Sequence, residues 1–208
     1  MGNCMKRLLL FLAMTSGLHA QDIEIEAEAI PPEVTSAAVK AVEDLGREVV
    51  LGRYQVAVEC MYPAWKERTA KRMGGMEKLQ AQLDNVAKQM LQQGISITDC
   101  KPAGVPRPFE VFPGKKVAVI DGKQVEKLRY TKWLVLVPTV TKFRATIKGD
   151  PVAVNIESTG FQVAICDKGK EEWTFIDGSA VTVNELRSLF ITLPQDLELP
   201  PLEKKQIR

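Results

Sequence analysis

The constraint that most limits the fold is a change of hydrophobic period at Gly94. Before it, apolar residues recur at three- and four-residue steps; from Ile95 onward they alternate. A three-four spacing puts one stripe of a helix against a core, whereas alternation puts one face of a strand there. The chain therefore predicts helices first and a sheet afterwards.

The first helix is expected from Pro31 or Pro32, with Val34, Ala38, Ala41, Val42, Leu45 and Val49 on its buried side and Gly52 at its end. A second helical piece, Tyr54 to about Ala70, contains Pro63. Proline removes a backbone donor and crowds the preceding turn, so this piece is predicted to divide near Met61 and Tyr62. The third runs from about Met76 to Gln93 with a stripe of Met76, Leu79, Leu83, Val86, Met90 and Leu91, and Gly94 supplies its left-handed stop.

Five or six strands follow in direct succession: "ISITDCK", "PFEVFPGKKVAVIDG", "KLRYTKWLVLVPTVTKFRATIKG", "VAVNIESTGFQVAICDKG" and "EEWTFIDG". Parallel pairing would need crossover helices between them, so the sheet is predicted antiparallel and the class α+β. After Asp177 and Gly178, Thr182 and Glu185 have the spacing of a capping box for a short C-terminal helix.

One segment resembles a phosphate cradle, "KRMGGMEKL". A phosphate loop follows a strand and carries Gly-Lys-Ser/Thr or three spaced glycines. Here the glycines follow a helix and neither signature is present, so Gly74 and Gly75 are read as a helix-to-helix turn.

The N-terminus bears on compartment. Lys6 and Arg7 precede the apolar run Leu8–Met14, and small residues lead to Ala20. That order is the one of a secretory signal cleaved near Ala20, implying a periplasmic or secreted protein. The run is shorter than the roughly 20 residues of a spanning helix, so a membrane enters only if the signal is left uncleaved. "MGNC" lacks the Ser or Thr of an acylation motif at position 6.

Cleavage would change the inventory. Of 28 basic and 26 acidic residues, Lys6 and Arg7 would be lost, leaving equal numbers. A nucleic-acid partner is not expected of a chain without a basic excess. The single histidine, His19, would go too, removing His-based catalysis and His-containing zinc sites. No cofactor or metal motif is present. Cys60, Cys100 and Cys166 match no Cys-x-x-Cys pattern; they are possible disulfide partners in an oxidising compartment or simply buried apolar residues.

The domain organisation expected is a signal at 1–20, an acidic leader at 21–32, one α+β domain at 33–192 and an extended tail at 193–208. "GRYQVAVECMYP" in the helical half, the glycine-pair turn and the "WTFIDG" ending together resemble the nuclear transport factor 2-like superfamily across residues 33–178. The likeness is greatest to small secreted bacterial members of unknown activity. It implies N-terminal helices packed in the concave face of a strongly bent sheet of five to six strands, and a short C-terminal helix. It also implies a cavity between the two layers, and a possible homodimer through the outer sheet face.

Enzymes of that superfamily place an Asp–His pair, or a Tyr with an acidic partner, inside the cone. Without histidine the first is missing. Tyr54, Tyr62 and Tyr130 accompany Glu59, Asp84, Asp99 and Asp177 with no spacing that singles out a pair, so no catalytic residue is assigned. The reading is a non-catalytic binding or interaction module, with an apolar-ligand carrier or a histidine-independent hydrolase or isomerase as alternatives. Tyr62, Trp65, Phe112 and Trp133 are the candidate cavity residues.

Overall fold

A computed structural model describes residues 27–120, 123–146 and 153–207. Residues 1–26, 121–122, 147–152 and 208 lie outside the described residues, and with them the expected signal and most of the expected leader. The architecture is α+β: helices α1 (Pro32–Val50), α2 (Gln55–Glu59), α3 (Pro63–Met73) and α4 (Met76–Gln92) precede the sheet. Strands β1 (Ile95–Pro102), β2 (Arg107–Ile120), β3 (Lys123–Thr146), β4 (Ala153–Asp167) and β5 (Thr174–Asp177) follow. A helix α5 (Val183–Leu189) and a strand β6 (Glu203–Ile207) close the chain.

Proline and glycine divide the helical half as their backbone chemistry requires. Pro63 stands at the first turn of α3, where its missing N–H is no loss. Met61 and Tyr62 before it are extended and join the sheet edge: the Tyr62 amide donates to the Phe175 carbonyl at 2.9 Å, and the Phe175 amide to that of Cys60 at 2.8 Å. Gly74 ends α3 at φ 87°, and Gly75 follows at φ 131°, so the glycine pair is a turn between α3 and α4.

All six strands pair antiparallel, with β3 central. One edge of β3 is shared, by β2 along Lys123–Leu136 and by β1 along Thr139–Ala145. Pro138 sits where these neighbours change over. A central-strand proline normally breaks a ladder because it has no N–H to donate; here it stands at the change of neighbours, and its carbonyl still accepts from the Ala103 amide at 2.8 Å. The other edge of β3 pairs with β4 throughout Lys132–Thr146.

Register sorts the apolar residues into two layers. Val135 and Val137 of β3, Ala164 of β4 and Phe175 of β5 pack against Ala38 and Val42 of α1. On the opposite face, Leu134, Leu136, Val163 and Ile165 pack against Leu186 of α5, Phe190, Leu193 and Leu197. The C-terminal segment therefore covers the apolar centre of the outer sheet face, the surface on which a homodimer was expected. The tail ends as an exposed strand, β6, paired with β4 from Asn155↔Ile207 to Thr159↔Glu203.

Candidate functional site

Between the helices and the inner sheet face lies a cavity of about 630 Å3. Its existence follows from how α4 is held. The helix packs against α3 and β1 at its ends, and its stripe Leu79, Leu83, Val86 and Met90 looks across open space toward the sheet rather than onto it. Leu79 is buried at 2 % exposure, while Val86 is 47 % exposed and still on the wall, so the cavity reaches the surface beside α4.

The walls change character along their length. Val42, Leu45 and Val49 of α1, Val58 of α2 and the α4 stripe make the helical end apolar. On the sheet the inner-face positions turn from valines to hydroxyls and amides: Thr139 and Thr141 of β3, Gln162 of β4 and Asp177 of β5. The Asp177 carboxylate accepts from the Ser179 amide at 2.8 Å. The Thr141 hydroxyl lies 3.5 Å from the Cys100 sulfur; burial pushes that thiol up, against a smaller downward pull from the hydroxyl. The shape is that of a small-molecule site, an apolar container of several hundred Å3 with a few polar groups at one end.

Of the four aromatic candidates, only Trp65 lines this cavity. It is 3 % exposed, and the Arg72 guanidinium stacks 5.0 Å from its ring centroid while pairing with Glu185 at 2.8 Å. Tyr62 turns instead toward the outer layer, with its ring centroid 5.4 Å from that of Phe190; burial, with Asp167 adding to it, pushes its phenol up. Phe112 is 47 % exposed, on the rim of a separate hollow. Its φ of 63° directs it away from the strand's alternation, held by the Thr131 hydroxyl donating to its carbonyl at 2.7 Å. Trp133 is buried on the inner face but outside the cavity, beneath Lys168.

Among the described residues Cys60, Cys100 and Cys166 are free thiols rather than disulfide partners, with Cys166 buried and Cys60 and Cys100 half-buried. Burial pushes the Cys60 and Cys166 thiols up as well. A raised thiol pKa keeps the nucleophilic thiolate scarce.

Sequence reasoning missed the polar floor and the role of α4. The signal for the floor was present: in "LVLVPTVTKF" the inner-face positions run Val135, Val137, Thr139, Thr141, an apolar-to-polar change within one strand face. Comparison with known families, with characterised proteins and with solved structures gave no match.

Proposed function

We propose that this is an exported, non-catalytic binding protein of the nuclear transport factor 2-like type, and that its cavity carries a small apolar ligand. The observation that carries this reading is the open space of about 630 Å3 between α4 and the inner sheet face, walled by aliphatic side chains that a folded chain would otherwise press together. Core side chains ordinarily interdigitate with few voids larger than a water molecule. Leaving so much apolar wall unpacked is a cost that a bound ligand offsets by removing that wall from water.

The order of elements, four helices and then an antiparallel sheet enclosing the cavity, supports the family resemblance. Against catalysis stands the floor chemistry. Its carboxylate, Asp177, is exposed and already accepts from the Ser179 amide, which leaves it a solvated, capped group rather than one aimed at a substrate proton.

The test is titration of the mature chain with N-phenyl-1-naphthylamine, a neutral apolar fluorophore, following both its emission and quenching of Trp65. Saturable binding that Leu83→Glu abolishes supports the carrier; absence of binding to the folded parent overturns it. Export is tested separately. Protein recovered from the native host is expected to begin at Gln21, and a start at Met1 or Met5 identifies an uncleaved anchor.

A further inference from the structure

The polar end of the cavity is not its end wall. Thr139, Thr141, Gln162 and Asp177 line the main cavity and also a second hollow of about 470 Å3, walled further by Ser158, Gly160 and Leu202. The space exists because the far edge of β4 is covered in two pieces. β5 pairs with Gln162–Ile165 and β6 with Asn155–Thr159, so Gly160 and Phe161 between them carry no neighbouring strand. Gly160 keeps the passage clear. A Cβ there would stand 3.7 Å from the Thr139 hydroxyl and 3.8 Å from a Leu202 methyl, so a longer side chain would fill it.

The groups at the junction are two hydroxyls, one amide and one carboxylate. No cation stands among them. Arg72, the cation on the main cavity wall, is engaged by Glu185 and by the Trp65 ring. Lys204 lies beyond the junction, opposite Ser158 in the β4–β6 ladder. An anionic head held at this point would lie beside Asp177, which is unfavourable, and would meet an opposite charge only by reaching past it to Lys204 in the second hollow; a donor head finds four acceptors at the junction itself.

Building on the carrier reading, we propose that the ligand is a single-chain amphiphile with a hydrogen-bond-donating head, a hydroxyl or an ammonium. The chain lies along the α4 stripe. The head sits at the junction, donating to Asp177 and Gln162, and its outer part reaches the second hollow.

The experiment displaces N-phenyl-1-naphthylamine from the mature chain with dodecylamine, 1-dodecanol and laurate, each below its micelle concentration. In the parent, dodecylamine and dodecanol are expected to displace at concentrations about tenfold lower than laurate, the ratio one good polar contact supplies. Asp177→Asn is expected to bring the displacing concentration of dodecylamine close to that of laurate measured on the same variant. Thr141→Val, a near-isosteric second variant, is expected to weaken dodecanol in the same way. Gly160→Leu is expected to weaken both donors relative to laurate on the same variant. Laurate displacing as well as dodecylamine, or a preference unmoved by Asp177→Asn and Thr141→Val, overturns the proposal; laurate binding lost on Lys204→Gln would place the head's anchor there instead. A parent that fails to bind the probe at all sinks the carrier reading itself, which separates the two.

Discussion

The Lys168 ammonium lies 4.2 Å from the centre of the Trp133 ring, and the same ammonium is paired with the nearly buried carboxylate of Glu110. Glu28, in the segment that leads into α1, reaches the cluster as well. Its amide donates to Glu110 at 2.8 Å and its carboxylate lies 3.2 Å from Lys168 and 3.3 Å from Arg129. The indole is thus sealed under a cation, and Glu28 is fastened to the sheet by charge and one amide hydrogen bond.

Trp133→Ala is therefore expected to lower stability by about 3 to 5 kcal/mol, the usual cost of emptying a buried aromatic site. Urea unfolding measures it. Because Trp133 lies outside the cavity, the folded variant is expected to bind N-phenyl-1-naphthylamine as the parent does. A variant with the parent's midpoint would mean that the ring is not packed as described.

The ion pair beneath the leader makes its own prediction. Removing one partner of a buried pair strands the other, at a cost of about 3 kcal/mol or more, whereas removing both strands nothing. Lys168→Met is expected to be markedly destabilised, and Lys168→Met with Glu110→Gln to recover part of that loss. Equal midpoints for the single and double variants would show that Glu110 stays solvated when Lys168 is gone.

Much of this fold was legible because its signals are local. The division at Pro63, the stop at Gly94 and the pairing of Thr182 with Glu185 each depend on residues within one or two turns. The two apolar faces of β3 were legible too, since alternation alone assigns Trp133 and Val135 to one and Leu134 and Leu136 to the other. What covers each face was not. Leu193 and Leu197 have no period that announces burial, and the pairing of β6 with β4 joins residues more than forty positions apart. The cavity was implied by the family resemblance, but its walls could not be read from the residues. The α4 stripe of Leu79, Leu83, Val86 and Met90 reads the same whether it meets side chains or open space.

Gly46 illustrates a local rule that tertiary contact reverses. In an exposed helix, Gly→Ala gains about 1 kcal/mol from propensity. At Gly46 a Cβ would lie 2.4 Å from the Cys100 carbonyl oxygen, because α1 crosses β1 backbone to backbone at this point. Neither backbone yields readily. Gly46→Ala is expected to lose about 1 to 3 kcal/mol, as overpacked sites do. A rise in melting temperature would show that α1 and β1 do not approach so closely.

The capping box of α5 predicts a pH dependence. The Thr182 backbone amide, donating to the Glu185 carboxylate at 3.0 Å, holds that carboxyl below the usual carboxylate range, with Arg72 assisting. A depressed folded value means stability that is present above the unfolded value, about 4.3 for Glu, and lost as pH falls through the folded one. Glu185→Gln does not titrate. Its deficit against the parent is expected at pH 7 and should shrink toward zero in acid; a constant deficit would assign the effect to shape alone. Thr182→Ala is expected to cost about 1 kcal/mol at neutral pH.

Two leucines one turn apart on the α4 stripe differ in how fully they are packed. Leu79, 2 % exposed, is enclosed where α4 meets α3, whereas Leu83 one turn later has the open cavity beside it. Truncation costs the contacts a side chain makes plus the void it leaves, so the cost scales with how completely the site was filled. Leu79→Ala is expected to lose about 2 to 5 kcal/mol, and Leu83→Ala clearly less, since much of its surface already faces space. Ligand reverses the order of sensitivity. Saturating N-phenyl-1-naphthylamine stabilises whichever protein binds it, by an amount that grows with affinity. Leu83→Ala, which removes a wall contact, is expected to show a smaller ligand-induced rise in melting temperature than Leu79→Ala. Equal losses and equal rises for the two variants would mean that α4 rests on the sheet with no cavity beneath it.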